Sequence, residues 1–184
     1  MIENLVWKEE ILEKVDFSLG EFRNCSFEKI QFPNGIFEKT SFVDCRFINC
    51  DLSGSKFENA YFSKNTFQNC KLVGASFIEA SIHLCKFEEC NASYTNFTKA
   101  TLRDISWIQT ILKEASFEEV KWKENQFNNC DLRNVQFFHT SLEKLDFTTS
   151  NIEGIVVDVK DLKGAIVNIE QAIDLSRLLG IKIK

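Results

Sequence analysis

The sequence predicts an all-β solenoid wound in square coils, with a short helix at its C-terminal end. Three observations predict it. Apolar residues return every five positions, like residues return every twenty, and both periods stop near residue 167.

The five-residue period excludes the usual elements. An α-helix brings its apolar face round every 3.6 residues and a half-buried strand every 2. In "FEKTSFVDCRFINCDL", large side chains stand at Phe37, Phe42, Phe47 and Leu52. From Leu12 to Val167, the 32 positions ending in 2 or 7 hold seventeen Phe, eight Leu, two Trp, two Ile, two Val and one Ala. Phe138 is the one phenylalanine off this register. A second series, at positions ending in 0 or 5, is small: Cys45, Cys50, Ser55, Ala60, Cys70, Ala75, Ala80. Two residues of each five therefore point inward and three face water.

The longer period shows how the sides close. Positions 17, 37, 57, 77, 97, 117 and 137 are all Phe; Phe27, Phe47, Phe67, Phe87, Phe127 and Phe147 form another column, with Trp107 filling its gap. Four sides of five make one coil, and like stacks on like as repeats bury their faces against neighbours. Gly54, Gly74, Gly154 and Gly164 fall two residues after a central position, where a corner can require positive φ.

The ends depart from the repeat. Glu10 occupies an inward position, so residues 1 to about 14 read as an irregular cap. After Val167, Asn168 and Gln171 have capping-box spacing, "IEQAIDLSRLL" reads as a helix, Gly180 as its stop, and "IKIK" as an alternating strand. The domain reading is residues 1–167 for the coils with their cap and 168–184 for the terminal segment. Ile169, Ala172, Ile173, Leu175, Leu178, Leu179, Ile181 and Ile183 supply more apolar surface than capping needs, and read either as a cap alone or as a dimer interface.

Composition narrows the function. With 22 basic and 27 acidic residues the formal net charge is −5, against direct binding to nucleic acid or an acidic membrane. "MIENLVWKEE" lacks a basic n-region, and no apolar run reaches the roughly 18 residues of a membrane span, so a cytoplasmic protein is expected. The seven cysteines all stand on the small inward position without zinc spacing, and read as reduced thiols filling space. His83 and His139 read as surface residues. No nucleophile, metal or phosphate-loop motif is present, so no cofactor and no enzymatic activity are expected.

Charge is distributed unevenly. The side centred on 17, 37 and 57 carries Asp16, Glu38, Glu58, Glu79, Glu118, Glu119 and Asp158 against Lys39, Lys56 and Lys99, so seven acids and three bases leave −4.

The repeat covers about 85% of the chain and resembles the pentapeptide-repeat family, whose fold is a right-handed quadrilateral β-helix. "CNASYTNF", "FEEVKWK", "TSLEKLDF" and "EQAIDLSRLLGIKI" are similar to its Qnr-type members from Gram-positive bacteria. That resemblance implies a DNA mimic that dimerises through its C-terminal ends. It also implies partners, DNA gyrase or topoisomerase IV, protected from quinolones. The alternative is an interaction rod with some other partner. Several Qnr-type proteins carry projecting loops, whereas this register runs from 12 to 167 without an insertion.

Overall fold

The computed structural model describes residues 1–12 and 15–181. It is a parallel β-solenoid whose residues pair with those twenty positions on. Fourteen short strands alternate between two seven-stranded parallel sheets. Side A holds β1 (Ile2–Glu3), β3 (Glu21–Arg23), β5 (Ser41–Val43), β7 (Tyr61–Ser63), β9 (Ser81–His83), β11 (Thr101–Arg103) and β13 (Lys121–Lys123). Side B holds β2 (Val6–Lys8), β4 (Ser26–Glu28), β6 (Arg46–Ile48), β8 (Thr66–Gln68), β10 (Lys86–Glu88), β12 (Ser106–Ile108) and β14 (Gln126–Asn128). Sides C and D, centred on Leu52 and Phe57 in one turn, are joined between turns by single bridges such as Asp51↔Lys71 and Lys56↔Ser76.

The inward register is as the period requires. Phe57, Phe62, Phe67, Phe77, Phe87 and Phe97 are fully buried, while Phe138 is 36% exposed. Phe47, Phe67 and Phe87 stack with centroids 4.6 Å apart and planes within 3°. Each buried ring contributes about 1.5–3 kcal/mol, so the column forms a sufficient core without any central ligand.

On every side the inward-turned carbonyl of the central residue can be reached from the next turn, as by Thr40 Oγ1 at Phe17 O and Ser55 Oγ at Phe32 O, and on C and D it has a further donor within the turn. On C and D it accepts the N–H three residues on, as in Gly35 N–H to Phe32 at 3.0 Å and Ala80 N–H to Phe77 at 3.0 Å. With positive φ at Asn34, Gly54 and Gly74 these are type II-like turns, and Pro33 stands where φ is already suitable. On A and B the carbonyl is reached from the next turn: Cys50 Sγ donates to Phe27 O at 3.2 Å, Cys70 to Phe47 O at 3.3 Å and Asn65 Nδ2 to Phe42 O at 2.9 Å. The small inward residues thus fill space and also cap buried acceptors, which would otherwise go unpaired.

One expectation changes. Residues 2–12 are no irregular cap: Ile2↔Phe22, Trp7↔Phe27 and Ile11↔Gln31 continue the twenty-residue register. Trp7 and Leu12 supply the inward side chains for this turn, and Glu10 stays exposed while its carbonyl bonds Gln31 N–H at 2.9 Å. Trp122 is half-buried, and its Nε1–H donates to Ser141 O at 2.7 Å.

At the other end, a 3₁₀ turn (Val159–Leu162) precedes α1 (Ile169–Ser176), and a second 3₁₀ turn, Arg177–Leu179, ends at Gly180 with φ 71°. The capping box is present: Gln171 N–H donates to Asn168 Oδ1 at 3.0 Å and Asn168 N–H to Gln171 Oε1 at 2.9 Å. The expected terminal strand lies beyond the described residues except for Ile181.

Candidate protein-interaction surface

The square winding places the seven predicted carboxylates on one side. Side D runs the length of the solenoid because residues twenty apart stack at about 4.8 Å. Glu38, Glu58, Glu118 and Asp158 fall in one outward column, Glu79 and Glu119 in the next, and Asp16 begins the third. Asp16, Glu38, Glu79 and Glu119 are exposed; Glu58, Glu118 and Asp158 are half-buried. The column is interrupted at Ile78, Thr98 and Phe138.

On the other sides some acids meet bases from the adjoining turn, as in Lys8–Glu28 at 2.7 Å, Lys29–Glu9 at 2.7 Å and Arg23–Glu3 at 3.6 Å. Glu21, Asp44, Glu89 and Asp104 on those sides make no ion pair among the described residues. On side D, among the described residues, only Asp158 has ion-pair partners, His139 at 3.5 Å and Lys160 at 3.8 Å. Asp16, Glu38, Glu58, Glu79, Glu118 and Glu119 make none. Hydrogen bonds from Ser18 hold the Asp16 carboxyl below the usual carboxylate range. Glu58 Oε2 is buried without a hydrogen-bond partner. With Lys39, Lys56 and Lys99 among them, the seven acids still leave a net −4 on this side, which projects a negative potential toward a cationic surface.

The terminal segment presents a second surface. Ile169, Ala172, Ile173, Leu178, Leu179 and Ile181 are exposed, Ile169 to 80%. Leu175 instead packs on the core, so it belongs to the cap and is less available to a partner. Ile183 lies outside the described residues. Glu170, Asp174 and Arg177 line a groove of about 780 Å³ between α1 and the turn at Thr148–Ile155.

The thiols are sequestered. All seven are free and buried, and burial pushes Cys45, Cys85 and Cys130 up to about 11, so these remain neutral at neutral pH. His83 stands on side A and His139 on side D, far apart along the winding. Tyr94 is exposed and donates to Glu114 Oε1 at 3.2 Å. Among the described residues no group of three His, Cys, Asp or Glu side chains is arranged to hold a metal ion, and no helix is long and apolar enough to cross a membrane.

The sequence profile described as pentapeptide repeat region matches residues 40–117, within the stretch where every inward position is filled. Residues 40–117 thus carry the pentapeptide repeat. A second profile, the SV2A/B/C luminal domain, matches residues 91–156. No curated protein sequence matches it. Among solved structures, a trypsin-treated form of QnrB1, described as a plasmid-mediated fluoroquinolone resistance protein, is 23% identical over 99% of each chain, with a TM-score of 0.48. HetL, a pentapeptide repeat protein involved in heterocyst differentiation regulation in the cyanobacterium Nostoc, is 12% identical over 89% of this chain and 87% of its own, with a TM-score of 0.44. A pentapeptide repeat protein from the Arabidopsis thaliana thylakoid lumen is 18% identical over 65% of this chain and 66% of its own, with a TM-score of 0.36.

Proposed function

We propose that this protein is a non-catalytic DNA mimic. It binds DNA gyrase or topoisomerase IV through side D and protects the enzyme from quinolones or similar poisons. The observation that carries this reading is the row of carboxylates without ion-pair partners along one side of the solenoid. A topoisomerase holds duplex DNA on a basic surface, and a stiff rod with unneutralised charge competes for such a surface. The unbroken register leaves the coil sides themselves to make the contact. Two chains join through Ile169, Ala172, Ile173, Leu178, Leu179 and Ile181, which lengthens the acidic rod, and such a partner places the protein in the cytoplasm.

Charge reversal tests the reading. Asp16, Glu38, Glu79 and Glu119 are exposed, so changing these four to Lys disturbs no buried group, whereas half-buried Glu58 and Glu118 are left alone. The variant should fold, bind gyrase at least about tenfold more weakly, and lose most of the wild type's salt dependence. Supercoiling assays with and without ciprofloxacin check protection. Equal protection by wild type and variant moves the contact to another side. No effect of the wild type on either enzyme favours an interaction rod with a different partner.

A further inference from the structure

We infer that the solenoid contains a hinge between the turn carrying Trp122 and Phe127 and the turn carrying Leu142 and Phe147. Up to this junction the ladder on sides A and B is regular. Lys121 N–H bonds Ala100 O at 3.0 Å, Gln126 N–H bonds Ile105 O at 3.0 Å, Asp104 N–H bonds Lys123 O at 2.9 Å and Gln109 N–H bonds Asn128 O at 2.9 Å. One turn later the same four positions fail. Among the described residues Ser141 N–H does not bond Val120 O, nor Asp146 N–H Asn125 O, nor Glu124 N–H Glu143 O, nor Asn129 N–H Thr148 O. Both sheets end here, at β13 and β14.

Sides C and D stay closed across the same level. Asn151 N–H bonds Cys130 O at 2.9 Å and Val156 N–H bonds Val135 O at 2.9 Å. The opening is therefore a wedge, shut along C and D and open along A and B. On side B the Phe127 and Phe147 rings, which face each other across the opening, lie 5.6 Å apart and tilted by 22°, against 4.6 Å and 1° for Phe67–Phe87. A cleft of about 560 Å³ lies between the turns, lined by Trp122, Lys123, Glu124, Glu143, Lys144 and Leu145.

Side-chain bonds hold the wedge in place of the ladder. Trp122 Nε1–H donates to Ser141 O at 2.7 Å, and Asn129 N–H to Thr149 Oγ1 at 3.2 Å. Swinging an indole aside requires no backbone rearrangement, so this junction opens at lower cost than any regular pair of turns. The rod then bends about the C–D edge, carrying Asp158 and α1 as one body relative to Glu118 and Glu119. On the dimer reading given above, the hinge sets the angle at which the two rods meet; the bending itself does not depend on that reading.

Spin-label distances test it. Glu3, Ser63, Arg103 and Lys163 occupy the same outward column of side A, and each pair one hundred residues apart spans five turns, roughly 24 Å. Nitroxides at Ser63→Cys and Lys163→Cys straddle the wedge; those at Glu3→Cys and Arg103→Cys do not. Labelled chains are diluted with unlabelled protein, and wild type treated with the label corrects for its buried thiols. The straddling pair should give a distance distribution at least about twice as wide as the control. Trp122→Phe should widen it further and leave the control unchanged. Equal widths for the two pairs overturn the hinge, and a wide distribution insensitive to Trp122→Phe overturns the latch. Gyrase binding does not enter either measurement.

Discussion

The two ends of the solenoid solve the same problem differently. At the C-terminal end the sequence leaves the repeat, and Gln171 is buried with its Nε2 donating to Phe147 O at 2.8 Å and Ser150 O at 2.7 Å. Asn168 Nδ2 adds a bond to Thr148 O at 3.2 Å, and Leu175 covers the apolar centre. At the N-terminal end the repeat continues into the first turn. There β1 pairs only with β3 and β2 only with β4, while Leu5, Trp7, Leu12, Val15 and Phe17 stay half-buried. A regular turn cannot cap itself, because its donors and acceptors point along the stack. Capping takes residues outside the period, aimed at the last carbonyls.

The comparison makes graded predictions. The largest effect belongs between the ends: Phe97→Ala removes a fully buried ring and should cost about 3–5 kcal/mol. Phe17→Ala removes a half-buried ring beside the bare edge and should cost less than half as much. Urea denaturation of the two variants checks this, and equal midpoint shifts would mean the first turn is as well packed as the middle.

Next comes the cap. Gln171→Leu strips the bonds to Phe147 O and Ser150 O and half of the capping box, for a loss of about 2 kcal/mol. Its counterpart at the bare end, Asn4→Ala, removes the exposed amide bond to Asn24 and places alanine at φ 57°, and should cost about 1 kcal/mol. Thermal melts that ranked these two in the opposite order would show that the N-terminal edge is the better secured.

Phe138→Ser should change stability by less than about 1 kcal/mol, since this ring lies outside the core. Ile173→Lys and Leu179→Lys should be nearly neutral for folding, within about 0.5 kcal/mol, yet separate the proposed dimer. Light scattering at micromolar concentration decides: a wild type already monomeric removes the interface from this end.

Much of this was legible in the residues. Phe37, Phe42, Phe47 and Phe57 announce both periods, and the capping box is readable because Asn168 and Gln171 are local partners. Side D could be assigned because outwardness follows from register alone. Less was legible where a residue's partner stands twenty or more positions away. One signal went unused: the cysteines all follow side A or B centres, at 25, 45, 50, 70, 85, 90 and 130, whereas Ala60, Ala75, Ala80, Ala100 and Ala115 follow C or D centres. On the extended sides the thiol reaches back to the carbonyl of the previous turn, as Cys50 does to Phe27 O.

The sequence by itself determined the winding, the core columns and the side on which charge accumulates, because each depends only on which residues of five point inward. Tertiary structure decided the rest. Whether Ile2 and Trp7 join the stack depends on contact with Phe22 and Phe27 a full turn later. Whether Asp16 or Glu38 stays free of a counter-charge depends on what stands beside it on the adjoining turn. The wedge at Trp122 likewise comes from bonds that fail between turns with the same five-residue pattern. These outcomes rest on fitting one turn against the next, and a local period carries no record of that fit.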